Sequence, residues 1–381
     1  MKCKLTDICE YRKGKVNVSN LTLKTYISTE NMLPDKAGVV EANSLPSTAL
    51  VQEYKENDIL VSNIRPYFKK IWQAKYDGGC SNDVLVFQGN LNVDKDFLYY
   101  ILANDDFFVY SMATSKGTKM PRGDKKSIMQ YELQLFDIKT QKRIASILKV
   151  LDKKIELNNA INKNLLQQSL YIFETLINST SKDGCIGDYC TLKSGFAFKS
   201  KWWQDSGIPV IKIGSINQDY LNLSNCSHVS EDKISLAKDF IVSGGDLLIA
   251  MTGATIGKFT MVPKMHKTIL VNQRVGKFFL GENPINKIPF IYCTLKQPEI
   301  ISEIINRGQG SAQPNISASD IMSIPCVIPQ TEEINNFNLQ TAPMFELIIN
   351  NQFENLILAK TRDLLLPRLM SGEIDISNIS F

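Results

Sequence analysis

The stretch NDILVSNIRPYFKKI (57–71) returns, much altered, as GDLLIAMTGATIGKF (245–259), with Asp58 standing over Asp246 and Lys70 over Lys258 at a constant offset of 188. Internal repetition decides a fold before any other signal, because a missed repeat misassigns the whole architecture. Working outward, LTDICEYRKG (5–14) matches IGDYCTLKSG (186–195), and Asn82 of CSNDVLVF pairs with Asn272 of LVNQRVGKF. Further on, SKGTKMPRGDKKS (115–127) matches GQGSAQPNISASD (308–320), with Gly117 over Gly310 and Pro121 over Pro314. The chain is a duplication, and the Gly-Pro loop is basic in its first copy and amide-rich in its second.

After each loop the pattern turns helical. In TQKRIASILKVLDKKIELNNAINKNLLQQSLYIFETLI (140–177), Ile144, Leu148, Leu151, Ile155, Ile161 and Leu165 recur at spacings of mostly three and four, an amphipathic stripe. Thr140 is the expected N-cap. A helix of that length reaches about 57 Å at 1.5 Å per residue, too long to lie on an ordinary domain. The second copy (330–365) repeats the stripe through Ile334, Phe337, Phe345, Ile348 and Leu356, and Pro343 is expected to start or kink a helix there. Two such helices pack most simply as an antiparallel pair. Asn158 and Asn159 correspond to Asn350 and Asn351; these amides either fix the register of a seam or face water.

Before each helix lie short β-rich runs such as DILVSNI, DVLVF, PVIKI and DLLIAM, broken by Gly, Asn and Pro turns. The expected class is α+β: two mixed globules in pseudo-two-fold arrangement, separated by two long antiparallel helices. The boundaries drawn are 1–139, a helical spacer at 140–180, a second globule at 181–329 and a distal helical spacer at 330–381.

Composition is that of a soluble, core-forming protein, 44% apolar and 22% charged over 381 residues. The start, MKCKLTDICEY, has no apolar leader, and no run approaches the ~18 to 20 apolar residues of a membrane span, so a cytoplasmic chain with no membrane partner is expected. The eight cysteines lack metal-ligand spacing, and with only His228 and His266 beside them they read as buried reduced thiols, leaving no metal site expected. The net charge of +4 decides little, but 61–75 and 251–277 carry several bases and no acid, the footprint of phosphate binding.

Four segments in order carry a family resemblance: SKGTKMPRGDKKSIMQYELQL, TQKRIASILKVLDKKIELNNAINKNL, LKSGFAFKSKWWQDSGIPVIKIGSI and TRDLLLPRLMSGEIDI. Together they resemble the specificity subunit of type I restriction-modification systems. The resemblance implies two target recognition domains, each reading one half of a bipartite, asymmetric double-stranded DNA sequence. It implies helices that set the spacing and dock two methyltransferase subunits, with motor-nuclease subunits joining for cleavage. It implies a non-catalytic chain without cofactor of its own, S-adenosylmethionine, ATP and Mg²⁺ belonging to the partners, and adenine as the methylated base. The first domain lacks the GFAF and IPVIKIG elements seen in the second.

The residue chemistry agrees with a binding role. No two prolines adjoin, so the Pro-Pro-aromatic turn of an amino-methyltransferase is missing, and GATIGKF (253–259) has the wrong glycine spacing for a phosphate loop, with Phe259 where Ser or Thr should hold magnesium. Two other readings stand beside it: a single-chain metal-dependent nuclease using Asp35, Glu53 and Lys55, and a helical scaffold without DNA.

DNA candidates in the first half are Arg65, Lys69, Lys70, Lys116, Lys119 and Arg122. In the second they are Lys193, Phe196, Phe198, Lys199, Lys212, Thr252, Lys258, Gln273, Arg274, Arg307, Gln309, Gln313 and Asn315. Phosphate contacts position and base contacts specify; a basic loop suits the former and an amide-rich loop the latter. For Phe196 and Phe198 domain core stands ahead of contact, and Trp202 and Trp203 pack against the loop in preference to sitting on sugar and base surfaces.

Overall fold

The computed structural model describes residues 2–117, 119–179, 183–223, 226–309 and 314–376. The chain divides into two compact units, Met1–Lys153 with Leu358–Phe381 and Lys154–Ile357. Mixed helix and sheet make up both, and a helix of 41 residues, Ile138–Asn178, links the two domains. Among the described residues no helix is long and apolar enough to cross a membrane.

In the first unit one antiparallel sheet runs in the order Cys9–Tyr11, Val84–Gly89, Ile59–Ser62, Ile71–Gln73. In the second unit the order is Thr191–Ser194, Val275–Phe279, Leu247–Ala250, Phe259–Met261, the same sheet rebuilt from the repeated segments. The central strands, Ile59–Ser62 and Leu247–Ala250, are buried on both faces and are continuous apolar runs for that reason.

A second sheet departs from the repeat at its edge. Its middle strands correspond: Gly78–Cys80 lies between antiparallel Leu50–Tyr54 and parallel Tyr26–Ile27, and Ile269–Val271 between antiparallel Ile241–Val242 and parallel Ile208–Ile211. The fourth strand is then added on opposite sides. Lys15–Asn17 extends Leu50–Tyr54, whereas Ser227–Val229 extends Ile208–Ile211.

Each unit also holds a two-helix hairpin, Lys95–Ala103 with Asp105–Ala113 and Ile288–Lys296 with Pro298–Gly308. A short helix follows, Lys125–Ile128 capped by Asp124 and Ala318–Met322 capped by Ser317. Single capping residues at these junctions satisfy the first free N–H groups and fix where each helix begins. In the first unit the hairpin closes a core of Leu5, Phe87, Phe97, Phe107, Leu148 and Leu366; in the second, one of Phe173, Phe259, Phe278, Phe290, Phe337 and Phe345.

The central helix starts earlier than its sequence suggests. Asp137, not Thr140, is the cap: its carboxylate accepts from the Thr140 backbone N–H (3.0 Å) and hydroxyl (2.6 Å). The distal helix, Thr331–Met370, neither starts nor stops at Pro343. Pro343 lies on the exposed face, four residues after the 79% exposed Leu339, where water can take the carbonyl it leaves without a donor.

The two helices are antiparallel within each unit. In the second, Asn158 donates to Glu354 (2.7 Å) and Asn355 (2.9 Å), Asn351 to Asn162 (2.8 Å), and Ser169 meets Met344. In the first, Arg362 donates to Asp152 (2.7 Å). Asn158 and Asn351 are therefore buried seam residues, Asn159 is exposed but accepts from Asn355 across the seam (2.9 Å), and Asn350 is exposed. Ile144, Leu148, Phe345 and Ile348 are buried, and Leu151, Ile155, Ile161 and Leu165 half-buried. Leu356 is corrected: it is exposed, because its neighbour Asn355 faces the seam and one residue of helix turns about 100°.

Candidate nucleic-acid interface

The repeated Gly-Pro loop docks against the end of the central strand in the same way in both units. In the first, Arg65 N–H donates to the Pro121 carbonyl (2.8 Å) and Gly123 N–H to the Asn63 carbonyl (3.2 Å). In the second, Gly253 N–H donates to Pro314 (2.9 Å) and Ile316 N–H to Met251 (3.0 Å). The positions correspond residue for residue at the two offsets read from the sequence. Proline suits this place because only its carbonyl is used, and its missing N–H breaks no ladder.

A tight 3₁₀ turn follows each strand, and its backbone enters the left-handed region twice. In the first unit Arg65 and Lys69 do so, both at φ 50°; in the second Gly253 (φ 70°) and Gly257 (φ 81°) stand at those positions. Glycine adopts this conformation freely and an L side chain does not. The first copy thus carries two cationic side chains where the second carries none.

Around the first loop lies a shallow depression of about 660 Å³ lined by Asn63, Lys116, Arg122, Lys125 and Lys126, with Asp124 as its acid. Lys116 pairs with Asp124 (2.9 Å) and Arg122 with Asp83 (3.0 Å). Hydrogen bonds from Lys116, then from Ser127, hold the Asp124 carboxyl well below its ordinary range. Lys125 and Lys126 make no ion pair among the described residues, and with exposed Lys119 they leave the rim basic. They stand in the quoted loop, but choosing only its first three cations left them out.

Lys69 and Lys70 are more occupied than a run of bases suggests. Lys69 pairs with Asp105 (2.8 Å), as does Lys36 (2.9 Å). Burial acts to raise the Asp105 carboxyl, but its bonds to Lys69 and Lys36 outweigh that and hold it below its usual value. Lys70 donates to the Thr29 carbonyl (2.6 Å), and burial lowers its pKa. Lys70, a candidate for DNA contact, is held here as an internal tie. The acid that completes these pairs is remote in sequence, so an acid-free window could not reveal it.

In the second unit Gly195 lets two strands meet: a Cβ there would fall 2.5 Å from the Asn272 carbonyl oxygen. Phe196, bridged to Asn272, stacks on Trp202 (6.3 Å, 12°), and Phe198 packs on Trp203 (5.6 Å). Phe198 is buried and is corrected to core, its ring held among Val210, Val229 and Leu270. Lysines sit over this shelf: Lys212 lies 3.6 Å from the Trp203 ring, and Lys233 and Lys199 lie 5.0 and 5.5 Å from Trp202. Burial lowers the Lys212 pKa. Lys193 covers Phe279 at 4.9 Å.

Lys258, Gln273, Arg274, Gln309 and Asn315 are exposed, and Thr252 is buried and bridged to Asn315. Gln313 lies outside the described residues. Arg307 is engaged within the unit: its guanidinium bonds Glu303 (2.7 Å), the Asp320 carbonyl (3.0 Å) and the Ser323 hydroxyl (2.8 Å), tying two helices together. Trp202 and Trp203 pack on Phe196 and Phe198, whereas Lys233, which no local pattern marks, was missed.

The nuclease arrangement is not assembled. Glu53 pairs with Lys55 (2.6 Å), and Lys55 also reaches Asp77 (3.2 Å), so the lysine neutralises carboxylates instead of standing over a water. Among the described residues no group of three His, Cys, Asp or Glu side chains could hold a metal.

The model of the type I restriction modification DNA specificity domain matches residues 1–167 and again 178–355. Similar proteins include the specificity subunit of type I restriction enzyme MjaVIII of Methanocaldococcus jannaschii, 24% identical over 348 residues, covering 86% of this chain and 81% of that one. The HindI specificity subunit of Haemophilus influenzae is 24% identical over 433 residues, covering 92% and 94%. The crystal structure of a type I restriction-modification S subunit from M. genitalium superposes with a TM-score of 0.55 at 17% identity, covering 99% of this chain and 96% of that one.

Proposed function

This chain belongs to the type I restriction modification DNA specificity family, and we propose that it confers sequence specificity by reading the two halves of a split double-stranded DNA target, one with each copy of the docked loop. The observation that carries the reading is the duplicated pair of backbone bonds that seats a polar Gly-Pro loop at the end of a central strand. One frame thereby presents two different loops. Segments 1–139 and 181–329 are the recognition domains, and 140–180 with 330–381 form the spacer that docks modification subunits.

Within this reading the rim of Lys116, Lys119, Arg122, Lys125 and Lys126 holds phosphates. Gln273, Arg274, Gln309 and Asn315, exposed beside the second loop, read base edges together with Gln313. Lys193, Lys199, Lys212 and Lys258 neutralise phosphate. The chain itself catalyses nothing; S-adenosylmethionine, ATP and Mg²⁺ serve the methyltransferase and motor-nuclease partners, and the assembly works on DNA in the cytoplasm.

Co-expression with the methylating partner, followed by genome-wide mapping of methylated adenine, tests the proposal. A split motif with a fixed gap is expected, and replacing Gln309 and Asn315 by alanine changes its second half alone. A stable complex that yields no motif leaves the helical scaffold reading in its place.

A further inference from the structure

We infer that Arg65 is the residue through which the first recognition domain selects a guanine, an assignment that rests on the DNA-reading function above. Three observations converge on it.

The backbone at this position is set by the fold, not by the arginine. Arg65 N–H is bonded to Pro121, and its carbonyl accepts from Phe68 N–H (3.0 Å), which fixes the turn on both sides. The left-handed φ of 50° is imposed there, and the duplicated copy meets the same demand with Gly253 at 70°. Glycine is the unstrained solution, and this molecule uses it in its other half. An arginine kept against that strain is kept for its side chain.

That side chain has nothing to hold. Arg12, Arg122, Arg307, Arg362 and Arg368 are each paired with a carboxylate. Arg65 makes no side-chain hydrogen bond or ion pair among the described residues, and its Nε is buried without a partner. Of the guanidinium only Nε is buried in this way, so its Nη groups, unpaired among the described residues, are the donors a ligand can reach.

The surroundings select the ligand's chemistry. Arg65 is two residues from Asn63, which lines the basic depression, and its backbone is bonded to the loop that forms the rim. A planar guanidinium carried on backbone that is bonded to this loop matches the paired O6 and N7 acceptors of guanine in the major groove. Lysine can reach the same two acceptors but lacks the planar fork, and the glycine of the second copy has no side chain with which to read.

The test selects bound duplexes from a randomised pool with the complex of this chain and its modification partner, for wild type, R65K, R65A and R65G. Wild type should return a two-part motif containing a guanine in the first half. R65A should lower discrimination for that guanine by about 5- to 150-fold, the range of one bidentate pair, and R65K should retain part of it, while both leave the second half-site intact as an internal check of folding. R65G should lose the same guanine yet unfold at no lower temperature than R65A, because glycine removes the strain that alanine retains. A guanine preference undiminished in R65A overturns the assignment, as does a loss of affinity by R65A that is equal for all sequences, the mark of a phosphate contact. R65A proving more stable than R65G overturns the strain argument. If wild type returns no motif, the DNA-reading function itself fails; a clear wild-type motif unchanged in R65A removes only the role of Arg65.

Discussion

Asp152→Ala should lower the stability of the first unit by about 2 to 3 kcal/mol. Asp152 sits between two buried groups: it accepts from the Tyr100 hydroxyl at 2.7 Å and from Arg362 Nη1 at 2.7 Å. The Arg362 side chain is 10% exposed and that of Asp152 21%. Breaking a buried pair by removing one partner costs ~3–5 kcal/mol, because the remaining charge stays desolvated. Two features reduce that figure here. Asp363, 2.9 Å from Nη2 and 43% exposed, continues to neutralise the guanidinium, and water reaches the space vacated by a partly exposed carboxylate. The orphaned Tyr100 hydroxyl adds back ~1 kcal/mol. Urea unfolding followed by tyrosine and tryptophan fluorescence should therefore show the midpoint of the first unit's transition fall clearly. Asp363→Ala, which removes only the exposed partner, should cost less than about 1 kcal/mol. The double variant Asp152→Leu with Arg362→Met should recover most of the loss, since an apolar replacement of the whole pair leaves no buried charge. A loss under about 1 kcal/mol in Asp152→Ala, or a double variant no better than the single one, would refute the reasoning.

Other consequences are checked as directly. Asn158→Leu should keep or raise stability by up to about 1 kcal/mol while loosening amide-exchange protection along the helix pair, since a seam amide trades stability for register; a loss above ~2 kcal/mol would make the amide a plain stabiliser. Replacing Lys125 and Lys126 by alanine should weaken binding to all duplexes alike and reduce the salt slope by about two, at ~0.9 per phosphate contact; a sequence-selective loss contradicts that role. The Asp105 carboxyl is depressed in the fold, so its contribution is present above the ordinary carboxylate pKa and disappears as pH falls through the lower folded value. Asp105→Asn should accordingly flatten the stability-pH curve below about pH 4, and an unchanged acid limb argues against the pairing with Lys69 and Lys36. Burial pushes the Cys9, Cys80 and Cys190 thiols up to about 12, so a thiol reagent at pH 8 should label them only as fast as the fold opens.

What the sequence revealed and what it hid divide along a physical line. The strand Ile59–Ser62 and its copy Leu247–Ala250 were legible because a run buried on both faces must be apolar, and the offset of 188 aligned them without gaps. The helices were legible through their stripe, apart from positions one residue off it such as Leu356. Pairing across distance was hidden. That Asp105 occupies Lys69, that Thr29 takes Lys70 and that Asp320 and Ser323 engage Arg307 depends on which loops fold together, and local charge counts are blind to it. The opposite edge strands, Lys15–Asn17 and Ser227–Val229, were equally hidden, because edge pairing is set by connections whose sequences have diverged.

The pattern of divergence follows from which bonds hold the loop. Its seat is made of backbone groups, the carbonyls of Pro121 and Asn63 in one copy and of Pro314 and Met251 in the other, and backbone groups persist whatever the side chains become. A loop seated this way can exchange its side chains without losing its position. The one backbone constraint is the left-handed turn, which favours glycine, as at Gly253 and Gly257, and which Arg65 and Lys69 meet at the cost of strain. The two departures differ in what they hold: Lys69 is paired with Asp105, whereas the Arg65 side chain has no partner among the described residues.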